Sequence, residues 1–345
     1  MDILVETAGA LGRIRLNRPK AINALTLEVI QQIQVALDRF EDDPAVAAVL
    51  VTGEGERGLC AGGDIRTLYE RGRGGSDFGE TFFRTEYRMN AHIAAYRKPY
   101  IAIMDGITMG GGVGISAHGS VRIVTERTRM AMPEVGIGFF PDIGASWLLS
   151  HAPGEVGTFM GVTGEAVGGA DTIHAGFADY FVPSEKLPAL AGALAALPVS
   201  ATLADMRATA RSFAQELTPP LAAHRAEIDA AFVHDTVEEI AAALEASGSE
   251  FAQKTLGVMA LKSPTSMKVT LRLLRLARRD KSLRDALERE FAAAHSVLAS
   301  DEFYEGVRAA VVDKDRNPQW HPAKLEEVSA ASVDAYFQNS PDKLF

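Results

Sequence analysis

Residues 100–147 read YIAIMDGITMGGGVGISAHGSVRIVTERTRMAMPEVGIGFFPDIGASW, and the rest of the chain is read outward from them. The stretch opens on an apolar run, YIAIM (100–104), which predicts a buried strand. Six glycines follow between Gly106 and Gly119, three of them consecutive: Gly110, Gly111 and Gly112. Residues 112–117 predict a short buried helix, and VRIVTE and RMAM two further short strands. The stretch closes on a loop of Gly, Pro and Phe. That loop carries two carboxylates, Glu134 and Asp142, eight positions apart.

The same alternation runs upstream. DILVETAG and RIRLNRP predict a strand hairpin. TLEVIQQIQVALDRF (26–40) is apolar at 27, 29, 30, 33, 35, 37 and 40, a helical face with Thr26 as N-cap. AAVLVTG (47–53) predicts a buried strand, and GLCAGGDIRTLYE a glycine loop before a short helix that opens near Asp64. Residues 71–78 predict a mobile polar loop, and 79–96 a helix that ends before Lys98-Pro99. Downstream, helices are expected at 142–150, 154–161 and 165–175. Alternating strand and helix to about residue 183 predicts an α/β core. Beyond it, helical period dominates at 237–247, 249–261, 265–279 and 281–299. The expected division is a core over 1–183 and a helical region over 184–345.

Composition narrows the function classes. The chain has 345 residues, 47% hydrophobic and 23% charged, which fits a globular protein with a sizeable core. A net charge of −10 argues against a nucleic-acid partner or an anionic membrane surface. Cys60 is the single cysteine, so no internal disulfide or thiolate metal cluster can form. The eight histidines are scattered, and no metal or separate cofactor is expected. No leader pattern and no long apolar window is visible, so a cytosolic setting is the expectation.

The glycine run admits two readings. Glycines that open a helix aim free N–H groups at an anion, either a phosphate or a developing oxyanion. They also serve where two layers pack closely. There is no phosphate-binding GxxxxGK[ST] and no GxSxG nucleophile turn. A second glycine loop, Ala61-Gly62-Gly63-Asp64, offers a further backbone donor. Two converging donors would make an oxyanion hole, each contributing roughly 3 kcal/mol to a transition state. Asp64 reads first as the cap of the helix after it. Pro133 fixes the backbone before Glu134, and the neighbours Val135, Ile137, Phe139, Phe140 and Ile143 are apolar. A carboxyl in such surroundings has a raised pKa and suits acid–base chemistry near neutrality. Two plainer readings stay open: Asp142 as a helix cap, and Glu134 as partner to Arg122, Arg127 or Arg129.

These motifs resemble the enoyl-CoA hydratase/isomerase (crotonase) superfamily. The resemblance is carried by LNRPKAINAL (16–25), CAGGDIR (60–66), KPYIAIMDGITMGGGVG (98–114) and MPEVGIGFFPDIGASW (132–147). FFRTEY (82–87), SPTSMKVTLR (263–272) and FYEGVRAAVVDKDRNPQW (303–320) are similar to its thioester-hydrolysing branch. The resemblance implies a crotonase-like ββα spiral core and an acyl-CoA substrate, coenzyme A being part of that substrate. It implies oxyanion donors at Gly63 and Gly111 and a catalytic carboxylate at Glu134. Asp142 and Glu86 join the site in the hydrolase branch. Ala21, Ala61, Asp64, Ile65 and Pro133 fall where the family lines its thioester groove. Hydratases carry a second glutamate two residues after the glycine triplet; Gly114 stands there in this chain, as in the hydrolase branch. The resemblance therefore implies hydrolysis of a short 3-hydroxyacyl-CoA, with an enoyl-CoA hydratase or isomerase as the alternative. Many relatives are trimers or hexamers, which leaves a homo-oligomer open.

Overall fold

A computed structural model describes residues 1–72, 77–338 and 343–345; most of the loop expected at 71–78 lies outside the described residues. The chain forms two compact units that are interleaved in sequence. Unit 1 comprises Met1–Gly63, Met89–Ala131 and Val167–Pro220. Unit 2 comprises Asp64–Arg88, Met132–Ala166 and Leu221–Phe345. The units therefore part elsewhere than at residue 183.

Unit 1 holds every strand among the described residues: β1 (Ile3–Ala8), β2 (Leu11–Leu16), β3 (Ala48–Gly53), β4 (Gly58–Cys60), β5 (Tyr100–Met104), β6 (Ile107–Met109), β7 (Val121–Val124), β8 (Arg129–Ala131) and β9 (Tyr180–Phe181). The β1–β2 hairpin is antiparallel and turns at Gly9, whose φ is 59°. The remaining strands of its sheet add in parallel, giving the order β1-β2-β3-β5-β7-β9. The strands β4, β6 and β8 make a second, three-stranded parallel sheet. The two strands expected after the glycine run thus belong to different sheets.

This is a repeat of strand, sharp corner, strand: β3–β4, β5–β6 and β7–β8. Each corner carries the chain from the large sheet to the small one. The second corner turns at Gly106, with φ 87°. A Cβ there would stand 2.8 Å from the Arg57 carbonyl oxygen, so no other residue fits without moving backbone. Leu11, Leu50, Ile101, Ile103, Val121 and Ile123 from the large sheet bury against Leu190, Leu194 and Met206. Each such side chain contributes about 1.5–3 kcal/mol of burial.

Thr26 does cap the helix Leu27–Asp42, its hydroxyl accepting from the Val29 N–H at 3.2 Å. The helix expected at 112–117 is a single turn, Gly111–Gly114. Unit 2 is mostly helical. Ser249, Ser263 and Ser282 cap the helices Glu250–Met259, Pro264–Ala277 and Leu283–Leu298. The helix Phe78–Ala94 starts in unit 2, the division falling between Arg88 and Met89. Among the described residues no helix is long and apolar enough to cross a membrane.

Candidate active site

The glycines of unit 1 divide between the two readings. Gly112 serves packing: a Cβ on it would lie 2.4 Å from the Cys60 carbonyl oxygen. Its neighbour Gly111 begins the helical turn, where a backbone N–H has no intrahelical acceptor. Gly62 (φ 111°) packs its Cα against Met109 and Gly111, a Cβ there falling 3.3 Å from the Met109 carbonyl oxygen and 3.7 Å from the Gly111 nitrogen. Gly63 bridges Leu25 in parallel, and Leu25 donates to the Gly62 carbonyl at 2.9 Å. No acceptor among the described residues takes the Gly63 or the Gly111 N–H. The loops at 60–63 and 109–112 thus sit against each other with an uncommitted amide in each.

The turn that bears Ala21 is strained and well held. Ile22 and Asn23 adopt left-handed φ values of 47° and 55°, uncommon for non-glycine residues. The buried Asn23 side chain offsets the strain. Its oxygen accepts from the Arg18 N–H at 2.9 Å, and its nitrogen donates to the carbonyls of Glu54 and Gly58 at 3.1 and 3.2 Å. Ala61 N–H donates to the Ile22 carbonyl at 2.9 Å, which sets exposed Ala21 and Ala61 on neighbouring turns.

Unit 2 carries the carboxylates. Pro133 leads into a 3₁₀ turn, Glu134–Ile137, so the loop expected here is locally helical. Gly138 closes it with φ 72°, donating to the Glu134 carbonyl. Glu134 is buried, and its Oε2 has no hydrogen-bond partner. Glu86, on the helix Phe78–Ala94, is buried with Oε1 equally unpartnered. Phe139 stacks on Phe83 at 5.3 Å and on Phe140 at 4.6 Å between ring centroids, an apolar frame for the loop. Burial first, then the negative charge of Asp142, pushes the Glu134 and Glu86 carboxyls well above the ordinary range. Burial pushes Asp142 up to about 7, against the hydrogen bond it accepts from Tyr87.

The alternative readings of the pair resolve differently. The helix after Asp142 is Ala145–Ser150, with Gly144 as N-cap, and the Asp142 side chain does not cap it. Instead Asp142 Oδ2 accepts from the Tyr87 hydroxyl at 2.7 Å. Arg122 and Arg127 belong to unit 1, where they pair with Asp179 and Asp105. Asp64 Oδ1 accepts from the Thr67 N–H at 3.3 Å, which is the capping role. Ile65 opens the helix Ile65–Gly72.

Sequence reasoning missed two residues, Tyr87 and Glu290. Glu290 is fully buried and accepts from the N–H groups of Gly144 (2.6 Å) and Ser146 (3.0 Å). Tyr87 lay within a quoted motif, FFRTEY, whereas nothing local in ALEREF marks Glu290 as buried. A cavity of about 780 Å³ in unit 2 is rich in arginine, but it is lined by none of the expected site residues. Three of its cations are matched by acids that also line it, Lys268 by Glu238, Arg272 by Asp334 and Arg275 by Asp235. Among the described residues no group of three or more His, Cys, Asp or Glu is arranged to hold a metal ion.

The raised Asp142 pKa has a stability consequence with a definite sign. The native state keeps a proton that the unfolded chain releases between about pH 4 and pH 7. Stability therefore falls as pH rises through that window, by on the order of 4 kcal/mol at most. Asp142→Asn removes the group and should unfold at a higher temperature than the wild type at pH 8, with little difference at pH 4. Thermal unfolding at both pH values checks this; an equal offset at both contradicts it.

A model of the enoyl-CoA hydratase/isomerase family matches residues 11–337. The 3-hydroxyisobutyryl-CoA hydrolase, mitochondrial, of Gallus gallus is 42% identical over 342 residues, 98% of this chain and 89% of its own length. The Homo sapiens protein of that name is 40% identical over 343 residues, 98% and 89% of the two chains. Among solved structures, a carnitinyl-CoA dehydratase from Mycobacterium thermoresistibile gives a TM-score of 0.94 at 44% identity, covering 100% of this chain and 98% of that one. An enoyl-CoA hydratase from Rhodobacter sphaeroides 2.4.1 gives 0.92 at 39% identity, with both chains covered fully.

Proposed function

The chain belongs to the enoyl-CoA hydratase/isomerase family, and on that premise we propose that it hydrolyses a short 3-hydroxyacyl-CoA, foremost 3-hydroxyisobutyryl-CoA, to the 3-hydroxy acid and free CoA. The observation that carries this reading is the acidic group of unit 2: Glu134 and Glu86 buried, each with an unpartnered oxygen, and Asp142 interacting with both.

Thioester hydrolysis needs an acceptor for the carbonyl's developing negative charge and a group that delivers oxygen to the carbonyl carbon. The uncommitted N–H groups of Gly63 and Gly111 are the donors this reading assigns to the oxyanion. Glu134 takes a proton from the attacking water, or attacks through its own carboxylate to form a mixed anhydride that water opens. Either route breaks the C–S bond and releases CoA as a thiol after protonation. Single turnover in ¹⁸O-water separates them, since only the second labels Glu134. Asp142 is assigned the substrate 3-hydroxyl, with Glu86 beside it; a hydroxyl is discriminated by polar groups and poorly by apolar walls. Ala21, Ala61, Asp64, Ile65 and Pro133 are assigned to the thioester groove.

A second reading, hydration of an enoyl-CoA or its reverse, has in its favour the names of the two solved relatives. Gly114, buried in the glycine turn, supplies no carboxylate for the two-glutamate chemistry that the resemblance attaches to hydratases. Thiol release from 3-hydroxyisobutyryl-CoA, measured beside hydration of crotonyl-CoA, decides between the two. Thiol release should exceed hydration by at least about 100-fold. The opposite ratio would replace the proposal with the hydratase reading. The mitochondrial residence in the relatives' names belongs to those proteins; for this chain a cytosolic setting remains part of the proposal.

A further inference from the structure

We propose that Glu290 is a positioning residue that sets the Asp142 carboxylate through the loop at 144–146, a role that rests on Asp142 working in the reaction. Three donors converge on the Glu290 carboxylate. Gly144 N–H reaches Oε2 at 2.6 Å, and Ser146 gives Oε1 both its N–H at 3.0 Å and its hydroxyl at 2.5 Å. These are the amides of the N-cap Gly144 and of the second residue of the helix Ala145–Ser150, where a capping side chain would otherwise bind. A glutamate from a helix more than 140 positions away does that work. The Asp142 side chain is left free for another partner, while its carbonyl accepts from the Ala145 N–H at 2.8 Å.

The same helix holds Asp142 from a second side. Phe291, next to Glu290, packs edge-on against Tyr87 at 6.2 Å between centroids. Tyr87 in turn donates to Asp142 Oδ2 at 2.7 Å. The helix Leu283–Leu298 thus fixes both the backbone that bears Asp142 and the hydroxyl that orients its carboxyl. Burying a glutamate with no basic partner is costly, and burial pushes Glu290 up to about 8 against its three hydrogen bonds. A leucine would fill the volume without that cost but would orphan three donors.

The test is a double-mutant cycle on thiol release from 3-hydroxyisobutyryl-CoA, with Glu290→Gln, Asp142→Asn, the double variant and Ser146→Ala. Gln keeps the shape but turns one acceptor into a donor against the loop. Glu290→Gln should lower kcat about 10- to 100-fold with KM within about threefold. In the Asp142→Asn background the same change should cost nothing further, because residues acting as a unit are not additive. Wild-type kcat in Glu290→Gln overturns the proposal. So does a double variant whose loss is the product of the single losses, the signature of an independent structural role. Should Glu290→Gln fail to fold, Ser146→Ala removes only the hydroxyl donor; a several-fold loss in kcat that vanishes beside Asp142→Asn supports the proposal, and unchanged kcat overturns it. Wild-type rate in Asp142→Asn alone sinks the functional reading of Asp142; a slow Asp142→Asn with a fast Glu290→Gln sinks only the role of Glu290.

Discussion

Glu134→Gln should lower thiol release from 3-hydroxyisobutyryl-CoA by about 10³-fold while the protein stays folded. Gln is nearly isosteric, yet it can neither accept the proton of water nor attack a thioester. Both assigned routes are lost together, so no other single side-chain change at the site should cost as much. The variant should also be as stable as the wild type at neutral pH, or more so. It replaces a carboxyl that burial and Asp142 hold far from its preferred ionisation, and whose Oε2 accepts no hydrogen bond. Gain of stability with loss of function is the expected mark of a strained working group. The wild type should meanwhile show kcat/KM rising with pH, as the raised Glu134 carboxyl gives up its proton. A variant that keeps more than about a tenth of the rate removes Glu134 from the chemistry.

Gly138→Ala should destabilise the protein by about 3 kcal/mol or more and abolish turnover with it. Two costs coincide at this position. The backbone sits at φ 72°, and a Cβ would lie 2.2 Å from the Glu302 carbonyl oxygen and 2.4 Å from its carbon. Both neighbours are backbone, so relief requires moving the 3₁₀ turn that presents Glu134 or the segment it packs on. Gly248 is the matched control: φ is 60°, but the nearest atom to its Cβ is 3.9 Å away. Gly248→Ala should cost only about 1 kcal/mol and leave kcat untouched. Denaturant or thermal unfolding of the two variants separates strain from collision; equal losses would show that the packing against Glu302 gives way freely.

The elements were largely legible because their signals are local. Thr26 before an amphipathic run, Ser263-Pro264, and the apolar pentapeptide at 100–104 each carry their cause within a few residues. Motif resemblance brought Glu86 into the candidate site, where spacing alone did not. What stayed hidden is long-range. Which strands share a sheet depends on the corners at Gly58 and Gly106, whose pairing partners come from separate repeats. The cap reading of Asp142 stayed open because nothing near it announces that Glu290 binds the amides of Gly144 and Ser146. Glu290 itself sits among Arg284, Glu288 and Arg289, a setting that predicts a solvated face. The glycine run needed coordinates to divide it, since Gly111 and Gly112 are identical in sequence and differ only in what stands beside them.

The interleaving of the two units has a consequence for synthesis on the ribosome. Glu86, Glu134 and Asp142 leave the exit tunnel well ahead of Glu290 and Phe291, which anchor the last of them. At roughly 5–20 residues per second, the stretch between Ala166 and Glu290 takes on the order of ten seconds to appear. During that interval Tyr87 lacks Phe291 and Phe139 lacks Phe303, the rings they pack against in the folded protein. Nascent chains of this protein are therefore expected to expose an apolar loop that also carries Glu134 and Asp142. Holdase capture should be most frequent before Glu290 and Phe291 have emerged.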